Sequence, residues 1–394
     1  MPAATLTPSA PLIQGVASPN VVVNPDLFYA ATRRLKFPAR SVVNIAGFGS
    51  TDSQQLRQTG IVAGLELRVK GTMVFGGTIT GTTMSYEWPF NLVREIRVSA
   101  NGQSNLVKMR GLSLRALEFV ANAKIDDQGI SKNFNAAANT FGTLALPSDD
   151  WGTSAGNSLS PNGTVAAIGT YTVDLTFFVP VCADYVSLLG SVYAQSAATN
   201  LTIDVDWNTQ NALLTLGGSA TLVQNLQWSV TSHVYSIPNV GGQYVVPDLS
   251  SFHQLAEFRQ SGIGQNLNET LLPGVGVGRK LLRVLFNVYS SAAPLAMTDA
   301  NFNQVGWAYG GSDVPESYPG GTNLRAANVR LAGTDIGGLW GFGAWDFASI
   351  FAMRDVVDEG ATSDLRIQYG LVAAPTNGAA QILQETLFAA PVGA

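Results

Sequence analysis

The sequence predicts an all-β protein made of two successive β-sandwich halves. Apolar and polar residues alternate with a period of two along most of the chain, whereas helical spacing is rare. A length of 394 residues fits two domains better than one. Two long stretches rich in Gly, Ser, Asn, Asp and Pro, residues 123–169 and 290–321, fall one in each half. We therefore expect a duplicated β-sandwich in which each long stretch forms an excursion between strands.

Strand patterns in the first half are clear at residues 65–75, 171–179 and 201–207, where every second residue is apolar. Each pattern predicts a strand with one buried face. We interpret the compact apolar segment at residues 180–200 as the connection before the strand that closes the first half. Apolar residues at helical spacing predict one helix at residues 109–123.

After a crossover at residues 207–222, the alternating pattern resumes in the second half. It predicts strands at residues 226–234, 280–290, 323–333 and 364–372. A second helix is expected over residues 249–260, which begin at Leu249.

Composition and charge favour a protein that works in an assembly. Charged residues make up 12% of the chain, about half of the roughly 25% that is usual in soluble domains. A surface with so few charges resists self-association poorly. The net charge of −5 argues against coating of nucleic acid by counterion release, and we predict no sequence-specific nucleic-acid binding.

A local basic cluster near the N-terminus contains Arg33, Arg34, Lys36 and Arg40. Such a cluster can contact anionic lipid headgroups or nucleic acid, although many basic clusters are only solvated. We find no signal-peptide pattern and no apolar run long enough to span a bilayer, so we expect no membrane-spanning segment. The single cysteine, Cys182, excludes an intramolecular disulfide and is expected to be a buried thiol.

Three patterns resemble catalytic or binding motifs, and each lacks its required context. The G-x-S-x-G match at residues 152–156, with Ser154 as the nucleophile, is neither preceded by a strand pattern nor followed by a helix pattern. The glycine spacing at residues 274–280 fits no phosphate loop. Asp204 and Asp206 share one strand face, but only two histidines and one cysteine could complete a site. We predict no catalytic residue, metal site or cofactor.

The order of features resembles the double jelly-roll major capsid proteins of tailless, internal-membrane-containing icosahedral bacteriophages, the tectivirus-like lineage. Residues 37–73, from "FPARSVVNIAGF" to "LELRVKGTM", are similar to the opening of the first jelly roll. Residues 171–208 are similar to its end, and residues 338–388 to the closing strands of the second roll. The resemblance implies two tandem eight-stranded antiparallel jelly rolls with a few short helices and long surface loops.

The resemblance also implies the division of the chain and its role. Residues 1–40 would be an inward, membrane-facing arm that carries the basic cluster, residues 41–215 the first roll and residues 216–394 the second. Homotrimers would form pseudo-hexagonal capsomers in the shell of a virion, around an internal membrane and a double-stranded DNA genome. Partners would be further trimers, penton and minor coat proteins, and the membrane. The protein would be made in the host cytoplasm, have no enzymatic activity, and bury more than roughly 2,000 Å² between subunits.

Two alternative functions are also consistent with the sequence. One is a carbohydrate-binding or carbohydrate-cleaving β-sandwich, such as a phage receptor-binding protein. It would need exposed aromatic residues, and its best candidates are Trp340, Phe342, Trp345 and Phe347. The other is a minor capsid or vertex protein of the same virus type, which copy number in the virion would distinguish.

Overall fold

A computed structural model describes residues 21–100, 103–122, 149–154, 157–195, 200–273, 279–309, 313–332, 335–338, 340–348, 356–358 and 364–389. Elements up to residue 235 are β1 (Val21–Val23), α1 (Pro25–Ala31), β2 (Arg34–Asn44), β3 (Thr51–Gln55), β4 (Ile61–Gly76), β5 (Thr83–Met84), a 3-10 helix (Phe90–Leu92), β6 (Val93–Ala100), β7 (Gln103–Met109), α2 (Gly111–Asn122), β8 (Asp150–Ser154), β9 (Asn157–Ser158), β10 (Gly169–Pro180), β11 (Val192–Tyr193), β12 (Leu201–Trp207), α3 (Gln210–Leu213), β13 (Leu214–Thr215) and β14 (Thr221–Tyr235).

The remaining elements are again mostly strands. They are β15 (Asn239–Val240), β16 (Gln243–Val246), β17 (Ser251–Ser261), β18 (Asn266–Leu271), β19 (Arg279–Ser290), β20 (Ala293–Pro294), β21 (Phe302–Tyr309), β22 (Asp313–Tyr318), α4 (Gly321–Ala332), β23 (Gly343–Asp346), β24 (Val357–Asp358), β25 (Leu365–Leu371) and β26 (Ala379–Ala389).

The first roll is a sandwich of two sheets. One sheet has the order β2-β14-β4-β10 and continues into β8 and β9; the other has the order β7-β6-β12-β3. Inward side chains from both sheets share one core, where the rings of Trp207 and Trp228 meet at 5.9 Å. The predicted alternation holds in β10, whose buried residues are Tyr171, Val173, Leu175, Phe177 and Val179.

The second roll repeats the same strand order. β17-β26-β19-β23 form one sheet and β18-β25-β21-β22 the other. In both rolls the last strand lies between the first and the third, and a helix of twelve residues follows the fifth: α2 after β7, and α4 after β22. This repeated order is the jelly-roll topology, which confirms the predicted fold class. β8 and β9 extend one sheet of the first roll beyond these sets, and β5 pairs with β13 in a separate two-stranded sheet.

Two predicted elements have the wrong type. Residues 249–260, predicted as a helix, contain all but the last residue of β17, which pairs with β26 over its whole length. Residues 323–333, predicted as a strand, fall largely within α4. Its buried side chains Leu324, Asn328 and Ala332 recur every four residues, which is helical spacing. In both segments the packing partner, rather than the local pattern, determines the structure.

The end of the first roll also differs from the prediction. β14 pairs with β4 and β2, so the first roll extends to Tyr235 and the predicted boundary at 215/216 falls inside it. β14 closes this roll, whereas β12 lies between β6 and β3 in the opposite sheet. The segment after Pro180 is therefore the connection to β12, the strand before the closing one.

The two long stretches differ from simple excursions where they are described. Residues 290–321 contain β20, β21 and β22. Of these, β21 and β22 form half of a second-roll sheet. In the other stretch, residues 123–148 lie outside the described residues, and β8 and β9 form a hairpin beside β10. Residues 274–278, in the predicted glycine-rich turn, also lie outside the described residues.

Candidate assembly surfaces

The two rolls are joined by direct strand pairing and by a buried helix. β7 of the first roll pairs in parallel with β17 of the second, at Val107 with Leu255 and Lys108 with Ala256. Helix α2 follows β7, and its residues 111–117 are all buried. A helix that is buried all round is packed on every side. In α2 this packing comes from both rolls, because its side chains belong to a core that also contains second-roll residues.

Arg110, immediately before α2, is the centre of an ionic network between the rolls, the inter-roll network. Its Nε donates to Glu257 Oε1 at 2.7 Å, and its backbone N–H donates to Glu257 Oε2 at 2.6 Å. Its Nη1 donates to Glu87 Oε1 at 2.8 Å and to the Tyr289 hydroxyl at 3.0 Å. Ser113 Oγ also donates to Glu257, at 2.7 Å. Burial alone lowers the pKa of Arg110, but Glu257, Tyr289 and Glu87 raise it by more. The pKa therefore lies above its usual value, and the guanidinium stays charged.

A second ionic group lies on the side of α2 that faces β10. The guanidinium of Arg115 is fully buried and contacts Asp149 and Glu118, each at 3.2 Å. It also donates to the backbone carbonyl of Thr176 at 2.5 Å. Burial raises the pKa of Glu118 to about 7, and Asp149 adds to this increase, while Arg115 opposes it. One helix therefore carries a carboxyl group that titrates near neutrality.

The second roll contributes a buried ionic group of its own next to α2. Arg283 contacts Asp346 at 3.1 Å and Glu385 at 2.8 Å, and His253 Nε2 lies 3.0 Å from Glu385 Oε1. Burial by itself raises the pKa of Glu385, but Arg283 and His253 lower it to about 2. A cavity of about 30 Å³ separates this group from α2.

The aromatic stretch proposed as a sugar-binding surface is instead part of the core, so that interpretation is wrong. Trp340 is fully buried, and Phe342 and Trp345 are 1% and 4% exposed. The Trp340 ring packs 5.6 Å from Phe90 of the first roll, and its Nε1 donates to the carbonyl of Tyr86 at 2.9 Å. The stretch therefore fixes the two rolls together.

The four predicted basic residues do not form one free cluster. Lys36 pairs with Glu66 at 3.3 Å, and Arg40 donates to Gln54 at 3.0 Å while its guanidinium lies 4.5 Å from the centre of a tryptophan ring. Arg33 and Arg34 are exposed. Arg34, Lys36 and Arg40 belong to β2, a strand of the first roll, and are therefore not on a free arm.

The rest of the predicted arm is described from residue 21 and packs against the fold. β1 pairs in parallel with β16, and Phe28 of α1 is fully buried. Around them lies an exposed apolar patch, the basal patch. Its members are Val23, Leu27, Tyr29, Val240 and Tyr244. None of the helices in the described residues is long and apolar enough to cross a bilayer.

The remaining sequence candidates have structural surroundings. Ser154 ends β8, and β9 follows it, so the strand-to-helix turn of a nucleophile elbow is not formed. Asp206 is buried and forms ion pairs with Arg94 and Arg97. Burial by itself raises the pKa of Asp206, but hydrogen bonds from Thr51, Arg94 and Arg97 bring the pKa below its usual value. Within the described ranges, no three His, Cys, Asp or Glu side chains come together as a metal site requires. Burial raises the pKa of the Cys182 thiol.

Several edges and faces have no partner in the described part of the chain. β2, β3, β18 and β22 each end a sheet. Val329 on the outer side of α4 is 40% exposed. Surfaces of this kind, rather than a catalytic cleft, are the candidate functional sites, because open strand edges are templates for association.

Known proteins match this chain in structure only. No protein-family model and no curated protein matches its sequence. The major capsid protein of Sulfolobus Turreted Icosahedral Virus (STIV) is 13% identical with a TM-score of 0.64, over 91% of this chain and 98% of that one. A capsid model of the virus PBCV-1 is 12% identical with a TM-score of 0.54, over 90% and 93% of the two chains. The major capsid protein of bacteriophage PM2 is 11% identical with a TM-score of 0.50, over 91% and 98%. The chain thus has the double jelly-roll fold of these viral major capsid proteins.

Proposed function

We propose that the chain is a viral major capsid protein that forms homotrimeric capsomers and has no enzymatic activity. The observation that carries the proposal is a contact between the two rolls, in which β7 and α2 of the first roll meet β17 of the second. The equivalent elements, β22 and α4 of the second roll and β2 of the first, have no such contact among the described residues. The fold likeness to capsid proteins supports the same role. Trimers would tile an icosahedral shell in the virion, next to penton and minor coat proteins, after synthesis in the host cytoplasm.

The contact inside the chain is directional. The fifth strand of the first roll, β7, pairs with the first strand of the second roll, β17, and α2 is buried beside them. The second roll has the same elements in β22 and α4, and the first roll has the equivalent of β17 in β2. A second chain could therefore dock by placing its β2 beside β22 and covering α4.

Such head-to-tail interfaces are heterologous, and they close into rings when the rotation per step allows it. Three chains with two rolls each would give a six-sided ring. The exposed face of α4 supports this arrangement, because α2 is buried on all sides whereas Thr322, Ala326 and Val329 of α4 are exposed. Large interfaces of the obligate kind would also cover β2 and β22.

We further propose that the basal end of the trimer faces an internal membrane around double-stranded DNA. The basal patch supports this placement, as do Arg33 and Arg34, which lie exposed near it. A chain lacking residues 1–20, with both arginines changed to glutamine, should form trimers and lose binding to anionic vesicles. Vesicle binding equal to that of the unaltered chain would contradict the membrane proposal without touching the trimer proposal.

The trimer interface is tested by placing a charge on α4. Val329→Asp should convert trimers to folded monomers, because a carboxylate would be desolvated in the interface while Val329 is already 40% exposed in the single chain. Val186→Asp is the matched control, since Val186 is 73% exposed in the connection between β10 and β11, which is not part of the proposed interface. Light scattering should give the trimer mass for the control only. A trimer that survives Val329→Asp would contradict the proposed interface.

A further inference from the structure

A polar cleft of about 460 Å³ opens where the two rolls meet. Its first-roll wall consists of residues 83–87 and of residues 208–215, which precede β14. Its second-roll wall contains Arg259, at the end of β17, and Tyr289. Volumes of about 300–1,000 Å³ between domains are typical of sites that bind small molecules.

Several polar side chains in this cleft are exposed and have no partner among the described residues. Asn162, Asn211 and Arg259 line it, and none of their side chains makes a hydrogen bond or ion pair with any described residue. Asn91 is 5% exposed, and its Nδ2 donates to Ser85 and Ala212, yet its Oδ1 accepts no hydrogen bond within the described residues. Buried polar atoms are normally paired, so the unpaired oxygen of Asn91 requires an explanation. The three exposed side chains are accessible to a molecule that enters the cleft.

The chemistry of the free groups defines the ligand. Arg259 supplies one unpaired guanidinium, which matches a carboxylate in bidentate geometry. Asn162 and Asn211 supply amides, each of which both donates and accepts and so suits hydroxyl groups. Tyr86, 36% exposed, lines the same wall, and an aromatic ring suits the apolar surface of a ligand. Glu87 and Arg110 also line the cleft and are paired with each other, so Arg259 is the cation left for a ligand among the described lining residues. One cation beside neutral amides favours one negative charge among many hydroxyls over a polyphosphate.

We propose that this cleft binds an acidic saccharide, a sugar that carries a carboxylate. The carboxylate would meet Arg259, and ring hydroxyls would bond to the free asparagine amides. The inference is independent of the capsid proposal, because it depends only on the contact between the two rolls of one chain.

The test uses sialyllactose and trigalacturonic acid as acidic probes, with their methyl esters, which keep every sugar ring, as the uncharged counterparts. Saturation-transfer NMR on the full chain would detect binding, and calorimetry would give the affinity. At least one acidic probe should bind, and its uncharged counterpart should bind at least about tenfold more weakly, the effect of losing one charged hydrogen bond. Equal binding of the uncharged sugars, or no binding of either acidic sugar, would overturn the proposal.

Variants locate the site. Arg259→Gln should weaken binding of the acidic probe by about tenfold or more, whereas Arg33→Gln, the same charge change at the basal end, should not alter it. Because Arg259 has no described partner, its variant should keep the circular dichroism spectrum and native mass of the parent. Unchanged affinity in Arg259→Gln would show that the sugar binds elsewhere and would refute this assignment.

Discussion

Arg110 holds two carboxylates of different rolls, so its removal should destabilise the chain strongly. In Arg110→Ala, Glu257 would lose its cation while its side chain is only 2% exposed, and Glu87 would lose its cation as well. Breaking a buried ion pair by removing one partner costs about 3–5 kcal/mol. Since the network spans β7, β17 and β19, we expect a loss in this range in the free energy of unfolding.

Arg68→Ala is the matched control. Arg68 also makes a two-point contact with a carboxylate, Asp174, but the two side chains are 48% and 31% exposed. Exposed pairs of this kind contribute about 0–1 kcal/mol. Urea unfolding followed by circular dichroism, at one protein concentration because association adds to apparent stability, would compare the variants.

A double variant separates the charge effect from lost packing. Replacing both partners by apolar residues, as in Arg110→Met with Glu257→Leu, leaves no buried charge between this pair and should recover much of the loss. The reasoning would be refuted if Arg110→Ala lost no more stability than Arg68→Ala, or if the double variant were no more stable than the single one.

Two further predictions concern pH and a glycine. Glu118, with its pKa raised from 4.5 to about 7, gives stability that is fully present below about pH 4.5 and lost by pH 7, up to about 3 kcal/mol. Glu385, with its pKa lowered to about 2, gives stability that is lost as the pH falls from 4.5 to 2. Urea unfolding should therefore show a maximum near pH 5, and Glu118→Gln should remove the decline above it; a decline that persists would contradict this role. Gly71→Ala should destabilise the protein by about 3 kcal/mol or more, because φ is +148° and a Cβ would lie 2.2 Å from a carbonyl oxygen. Gly47→Ala should not destabilise it, because a Cβ there would meet open space. Equal melting temperatures of the two variants would contradict this prediction.

Sequence periodicity predicted most of the fold because one face of each strand is buried. The pattern of β10 and the helical spacing of α2 are examples in which local sequence and tertiary environment agree. Periodicity predicted the wrong element type for α4 and β17, because these two sequences are compatible with both a strand and a helix. The packing partners determine the type, as the pairing of β17 with β26 does. The position of β14 between β2 and β4 depends on pairing between distant segments, which no local pattern contains.

The functional surfaces were harder to predict than the fold. Arg110 and Glu257 lie 147 residues apart, so their contact has no local signature. The basic residues near the N-terminus are visible in the sequence, but the partners of Lys36 and Arg40 are not. The free side chains of the polar cleft come from both rolls and are brought together only by the packing of one roll against the other.

The native mass of the unaltered protein tests the central claim most directly. Light scattering over a range of protein concentrations should give about 124 kDa, three times the 41.5 kDa chain, with six-sided particles in negative-stain images of the same fraction. A mass of 41.5 kDa at every concentration would contradict the proposal that β2, β22 and α4 are subunit interfaces.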